Sequence, residues 1–307
     1  MASGRLWTPE PTTRRAKPVR NLVSTFSIAA FDPGTASWGV AVQSKFLAVG
    51  AIVPWARVGA GAVATQAMAN YTYGPRGLRL LSEGRTAQET VEALISSDPQ
   101  REHRQVGVVD AEGGSATFTG GECFDWAGGI AGEHYAAQGN ILVGRETVQA
   151  MARAFERGED DLASRLLAAL QAGQEAGGDR RGRQSAALLV VREGAGYGGD
   201  NDRMVDLRVD DHPDPIAELE RLYGLHQLYF GETDPGDVVA VEGSVREEVA
   251  TTLLRLGYLR EEYPDERTLH AALSAFIRTE NFEEREQPPG YADRAVLEFL
   301  KHRAASR

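Results

Sequence analysis

A threonine at position 25 could supply both a nucleophile and a base for amide hydrolysis. It opens the strand-like run TFSIAAFD and follows a leader of 24 residues. If the chain began at Thr25, its free α-amine, which titrates near pH 8, could accept the hydroxyl proton through a bridging water. The hydroxyl could then attack an amide and form an acyl intermediate. The alternative is that Thr25 only begins a strand, where threonine is common.

Charged and polar residues at the neighbouring strand ends could support such a nucleophile. Asp32 ends the first predicted strand at the turn DPGT, where its carboxylate either binds the turn backbone or orients the terminal amine. Lys45 follows Ser44, a candidate substrate contact, at the next strand junction. A hairpin could bring Lys45 beside Thr25, where its ammonium would lower the pKa of the terminal amine. The alternative for Lys45 is an exposed hairpin position.

Acyl transfer also needs hydrogen-bond donors that face the developing oxyanion. Asn140, in the run QGNIL, carries a side-chain amide directly after a glycine that permits close approach. We therefore take Asn140 as the first candidate donor, with satisfaction of a loop backbone as the competing explanation. The backbone amides of residues 59–61 are a second option.

An arginine-rich turn supplies candidate substrate contacts. Three arginines lie within four positions of the run DRRGRQS, at 179–185, in an otherwise acidic protein. Guanidinium groups suit bidentate recognition of a carboxylate, so Asp179, Arg181 and Arg183 are candidate substrate-binding residues. An ion-pair network or an oligomer contact would explain the same cluster. Trp55 could form a wall of the pocket, and simple packing is its alternative.

The composition excludes several classes of protein. A net charge of −11 argues against binding to the phosphate backbone of nucleic acids. The single cysteine, Cys123, excludes an internal disulfide and fits a reducing compartment, so we expect a cytoplasmic protein. The six histidines have no metal-ligand spacing, and we predict neither a metal nor a cofactor. No run approaches the roughly 18 apolar residues of a membrane span.

Residues 1–24 are predicted to be a leader that is disordered or removed. The segment is polar, basic and proline-bearing, and its pair Arg14-Arg15 would suit a twin-arginine export signal. The apolar stretch that follows ends at Asp32-Pro33, however, and is better used as the first strand. A disordered leader or a later start codon is therefore the preferred interpretation.

The elements that must position these residues are short strands and amphipathic helices. The runs TFSIAAF, SWGVAVQ, FLAVGAIVPWA and VGAGAVATQ, with tight turns between them, predict antiparallel hairpins covered on both faces. Helices are predicted over YGPRGLRLLSEG and from Thr86 to Ser96, where Thr86 and Glu89 have the spacing of a capping box. Because strand and helix blocks segregate, we predict an α+β fold with helices over a mostly antiparallel sheet, arranged as a layered sandwich.

Several strings between about residues 25 and 232 resemble the domain of unknown function 1028 family. They are TFSI, GVAVQSKFLAVGAIVPWA, GAVATQ, DPxREHRQVGVVD, AQGNIL and AGGDRRGRQSAAL. The resemblance implies the Ntn-hydrolase superfamily and its four-layer α-β-β-α sandwich. Members commonly start Met-Thr, so Thr25 stands where their first residue after methionine removal would be. The leader departs from that pattern, so either it is removed or translation starts at a later codon.

Residues 237–307 are predicted to form a small helical domain. Its strings LLRLGY, TENFEER and VLEFL resemble a tail module named for peptidoglycan binding. The leading hypothesis is an N-terminal-nucleophile hydrolase of a small amide or related C–N bond, with a homodimer as its expected assembly. The alternative is a non-catalytic protein that keeps the sandwich and binds cell-wall glycan or a protein partner.

Overall fold

The computed structural model describes residues 25–305. The strands are β1 (Thr25–Asp32), β2 (Ser37–Ser44), β3 (Pro54–Arg57), β4 (Gly61–Ala67), β5 (Arg104–Asp110), β6 (Ser115–Thr119), β7 (Gly128–Gly132), β8 (Tyr135–Asn140), β9 (Ser185–Val191), β10 (Arg203–Val209), β11 (Val238–Ala240) and β12 (Tyr291–Asp293). The helices are α1 (Tyr73–Ser82), α2 (Ala87–Ser96), α3 (Glu146–Arg157), α4 (Leu162–Glu175), α5 (Pro215–Phe230), α6 (Gly243–Leu256), α7 (Glu266–Thr279) and α8 (Arg294–Ala305). The predicted leader lies outside the described residues.

Two antiparallel sheets face each other. The larger has the order β10-β9-β2-β1-β8-β7 and the smaller the order β3-β4-β5-β6. Strand β3 packs against β2 and β9, β4 against β1, β5 against β8, and β6 against β7. The predicted α+β class and the hairpin of β1 and β2 are confirmed.

Alternating side chains bury both faces of each sheet. In β1, Phe26 and Ile28 pack into a core with α3 and α4, whereas Ala29 and Phe31 face the smaller sheet. Helices α1 and α2 cover the outer face of the smaller sheet. The layers are therefore helix, sheet, sheet and helix. Successive side chains of a strand point to opposite faces of its sheet, so each sheet can pack against a helix layer on one face and the other sheet on the other.

The layer between the sheets changes character along its length. Toward the Asp32 end of β1 it is apolar and contains residues such as Phe31, Trp38 and Val109. Toward the Thr25 end, the same inward-facing positions of the strands carry buried polar side chains. They are Thr25, Ser27, Ser44, Gln66, Gln105, Gln138 and Asn140.

Local sequence patterns predict the cap of α2 but not the path of the chain between β2 and β3. Thr86 caps α2 with the predicted capping box to Glu89. The run FLAVGAIVPWA was predicted as one strand, and this is wrong: residues Val49–Ala51 form a 3-10 turn and only Pro54–Arg57 is a strand. The chain leaves the larger sheet at β2 and enters the smaller at β3, so it must turn between them.

The C-terminal part is helical, as predicted, but its core begins inside α5. Ile216 and Leu219 of this helix pack with α3 and α4, whereas Leu228 and Tyr229 pack with α6, α7 and α8. One continuous helix therefore belongs to both cores, and the junction lies before the predicted limit at residue 232. Between residues 25 and 305, no helix combines the length and apolar character needed to cross a membrane.

Candidate functional site

Thr25 is the first residue of β1, a central strand of the larger sheet. Its register partners are Ser44 on β2 and Asn140 on β8. Thr25 is fully buried, and its Oγ1 donates a hydrogen bond to Oγ of Ser44 across 3.2 Å. Strand pairing thus brings together three predicted site residues that are distant in the sequence.

Gln105 is the centre of a buried amide network next to these residues. Its Oε1 accepts hydrogen bonds from Nδ2 of Asn140 at 3.0 Å and from Nε2 of Gln66 at 2.7 Å. Its Nε2 donates to Oγ1 of Thr119 at 2.9 Å. Gln66 also donates to the carbonyl oxygen of Thr25 at 3.3 Å. The network therefore orients the Asn140 amide and holds the backbone of the proposed nucleophile.

A second pair of contacts extends this network along β1. Oγ of Ser27 donates to Oε1 of Gln66 at 2.6 Å, and Nε2 of Gln138 donates to Oγ of Ser27 at 2.7 Å. Oε1 of Gln138 is buried and has no hydrogen-bond partner among the described residues. That oxygen lies 1.9 Å from the position that a Cβ on Gly107 would occupy. Gly107 therefore leaves the room that the Gln138 side chain needs.

Lys45 is held beside Ser44 through its backbone. Its N–H donates to Oδ2 of Asp179 at 2.9 Å, and the fully buried Asp179 carboxylate is also bound by the Nε of Arg181 at 3.3 Å. The Lys45 ammonium lies instead at the surface, 3.4 Å from the carbonyl oxygen of Arg183. Asp179 and Arg181 thus fix the strand end beside Ser44, and the geometry does not support a role for the Lys45 ammonium at Thr25.

Asp32 is separated from Thr25 by the full length of β1. At about 3.3 Å per residue, the two lie roughly 23 Å apart along the strand. Its carboxylate accepts hydrogen bonds from the N–H of Gly34 at 3.1 Å and from Oγ1 of Thr35 at 2.6 Å. Asp32 therefore forms the β1–β2 turn, and the expectation that it orients the terminal amine does not fit its position.

The side chains of other predicted contacts bind partners outside the cluster around Thr25. Arg183 forms an exposed ion pair with Asp214 at 2.7 Å. Trp55 donates to the carbonyl oxygen of Ile52 at 2.9 Å and lines a cavity at the side of the sandwich. Residues 59–61 stand at the turn between β3 and β4, on the Asp32 side. None of these groups belongs to the cluster around Thr25.

Cys123 is not suited to nucleophilic chemistry. Burial raises the pKa of its thiol to about 11, and its Sγ lies 3.4 Å from the carbonyl oxygen of Arg104. The thiolate is therefore scarce at neutral pH. Among residues 25–305, no three histidine, cysteine or carboxylate side chains are grouped to hold a metal ion.

Comparison with known proteins places the sandwich in a family. Residues 25–219 match the model of the "Family of unknown function (DUF1028)". The chain belongs to the DUF1028 family. A crystal structure of a DUF1028 protein from Silicibacter pomeroyi is similar, with 35% identity and a TM-score of 0.61 over 66% of this chain and 89% of that one. Residues 229–300 match a model described as "Putative peptidoglycan binding domain". No curated protein matched the chain.

The structure explains several strings that carry the DUF1028 resemblance. In DPxREHRQ, Asp98 accepts a hydrogen bond from Nε of Arg104 at 2.9 Å in a buried ion pair, and the final residue is Gln105. The strings GAVATQ and AQGNIL contribute Gln66 and Gln138 to the same network. Our sequence reasoning missed these three glutamines. The available signal was a large amide side chain within otherwise apolar strands.

Proposed function

We propose that this DUF1028 protein is an N-terminal-nucleophile hydrolase of a small amide or related C–N bond. The observation that carries the proposal is the position of Thr25 at the end of a central strand. Its hydroxyl donates a hydrogen bond to Ser44, and Asn140 is its register partner on β8. The helix, sheet, sheet and helix layering supports the Ntn-hydrolase sandwich that the family resemblance implies.

In the proposed reaction the chain begins at Thr25. The α-amine accepts the hydroxyl proton through a water, and Oγ1 attacks the substrate carbonyl. The Asn140 side chain, oriented by Gln105, donates to the oxyanion. The C–N bond breaks and the amine departs with a proton. A water then hydrolyses the acyl ester on Oγ1 and restores the threonine.

The test uses a chain that starts at residue 25 and a library of small amides. Thr25→Ala should abolish turnover, and Asn140→Ala should lower kcat by about 10²–10³-fold. Thr35→Ala, at the opposite end of the β1–β2 hairpin, is the matched control and should leave turnover unchanged. Full turnover by Thr25→Ala would contradict the proposal.

A second function is supported by the match of residues 229–300 to the peptidoglycan-binding model. In that case the full chain should sediment with purified insoluble peptidoglycan and not with cellulose. A chain that stays in the supernatant with both would contradict glycan binding. The homodimer and the cytoplasmic location stay predictions, and cell fractionation would separate that location from the cell wall.

A further inference from the structure

The larger sheet extends past the edge of the smaller one. Strand β3 is an edge strand of the smaller sheet and packs against β2 and β9. In the larger sheet, β10 lies beyond β9 and is the edge strand. Strand β10 therefore forms an overhang at the side of the sandwich.

The inner side of this overhang is charged. In register, Asp206 pairs with Leu189 and Arg208 pairs with Ala187, and both of these partners face the layer between the sheets. Val205 packs on the opposite side, with the helices. Strand β10 thus presents a carboxylate and a guanidinium where its neighbour β9 presents apolar side chains.

A cavity of about 730 Å³ lies under the overhang. Its volume falls within the range of about 300–1,000 Å³ that is typical of small-molecule sites. One wall is formed by Trp55 and Tyr71, whose rings meet edge to face with centroids 4.9 Å apart. Leu189 and Val191 of β9 add apolar surface. The residues around Thr25 lie at the other end of β9, where Ser185 pairs with Ser44.

The cavity carries more positive than negative charge. Three guanidinium groups, from Arg57, Arg203 and Arg208, face two carboxylates, from Asp202 and Asp206, which leaves an excess of one positive charge on a chain of net charge −11. This excess favours an anionic occupant.

The guanidinium groups also keep free donors. The Asp206 carboxylate accepts from Nη1 of Arg203 at 2.9 Å and from Nε of Arg208 at 3.2 Å. Within the described chain, Nη1 and Nη2 of Arg208 have no protein acceptor. Such a pair of nitrogens can bind a carboxylate or phosphate with two parallel hydrogen bonds.

We propose that the cavity under β10 binds a small organic anion, which carries a carboxylate or phosphate group on an apolar or aromatic body. Arg203 and Arg208 bind the oxyanion, and the Trp55 and Tyr71 rings contact the body. The proposal does not depend on catalysis at Thr25.

Isothermal titration calorimetry of the full chain tests this site. Indole-3-acetate and phenyl phosphate serve as probes for the carboxylate and the phosphate, and the uncharged indole-3-acetamide serves as the control ligand. We expect saturable binding of at least one anion and an affinity at least about tenfold lower for the amide. Arg208→Gln should weaken anion binding by about tenfold or more, since it removes charged hydrogen bonds.

Matched variants separate this site from the rest of the protein. Arg157→Gln, an exposed change at the end of α3, and Thr25→Ala should bind the anions with unchanged affinity. Tyr71→Ala removes a half-exposed ring without touching the ion pairs, so it provides a second test if Arg208→Gln fails to fold.

Three results would overturn the proposal. The first is no saturable binding of either anion at millimolar concentration. The second is equal affinity in Arg208→Gln and the unmodified chain. The third is unchanged anion affinity in Tyr71→Ala, because the ring would then make no contact with the body of the anion.

Discussion

The side-chain amide of Asn140 donates a hydrogen bond to Oε1 of Gln105 across 3.0 Å. Asn140 lies on the larger sheet and Gln105 on the smaller. The orientation of the proposed oxyanion donor therefore depends on contact between the two sheets.

Replacing Gln105 tests the importance of this contact. Gln105→Leu removes the acceptor that the side-chain amides of Asn140 and Gln66 share, and each lost hydrogen bond costs about 0.5–1.5 kcal/mol. We expect the free energy of unfolding in urea to fall accordingly. Gln88→Leu, on the exposed face of α2, should change it by no more than about 0.5 kcal/mol. Equal effects of the two changes would mean that the network does not stabilise the fold.

A methyl group at position 107 should disturb the same layer. Gly107→Ala places Cβ against Oε1 of Gln138, and such overpacking costs about 1–3 kcal/mol. The matched control is Gly224→Ala in α5, where the new Cβ has no other atom within 4 Å. That change should stabilise the helix by about 0.5–1 kcal/mol. Differential scanning calorimetry should show opposite shifts of Tm, and an unchanged Tm for Gly107→Ala would contradict the close contact.

Stability should depend on the ionisation of Asp98. Burial by itself would raise the pKa of this carboxyl, but hydrogen bonds from Asn70, Gln100, Arg104 and Tyr73 lower it to about 2 from 3.8. A lowered pKa means that the carboxylate stabilises the fold above pH 3.8, and that this contribution is lost as the pH falls through about 2.

The variant Asp98→Asn checks this dependence. It should be less stable than the unmodified chain at pH 7, by about 3–5 kcal/mol, because Arg104 loses its buried partner. The difference between the two chains should shrink on acidification to pH 2. Asp160→Asn, in an exposed loop, is the control and should leave the pH profile unchanged. A constant difference at all pH values would rule out the proposed ionisation.

Arg285 joins the helical region to the end of α5. Its Nε and Nη2 donate to the carbonyl oxygens of Leu228 and Gln227, each at 2.7 Å, and its Nη1 pairs with the buried Asp293. Arg285→Leu leaves Asp293 without its cation and should cost about 3–5 kcal/mol.

Amide hydrogen exchange shows which part of the fold loses stability in Arg285→Leu. Amides of α6, α7 and α8 should lose protection in Arg285→Leu, while those of β1 and β2 keep theirs. Arg278→Leu removes only an exposed pair with Glu286 and should cost about 1 kcal/mol or less. Equal protection in both variants would mean that Arg285 does not hold the helical region.

The sequence predicted what depends on local pattern. Short-range signals identified the β1–β2 hairpin, the Thr86 cap and the amphipathic helices, because each requires only neighbouring residues. Thr25 and Asn140 were identified as candidates, and strand register then placed them side by side. Gln66 and Gln105 were missed because their partners lie on other strands, and periodicity does not show which inward positions face one another. The junction inside α5 was missed because one unbroken helix serves two cores.

The mature N-terminus tests the central claim most directly. Intact-mass spectrometry of the protein from its native host, combined with periodate oxidation that cleaves only a terminal threonine or serine bearing a free amine, determines where the chain begins. We predict a chain that starts at Thr25 and reacts with periodate. A chain that retains residues 1–24 and turns over an amide at full rate would contradict the role of Thr25.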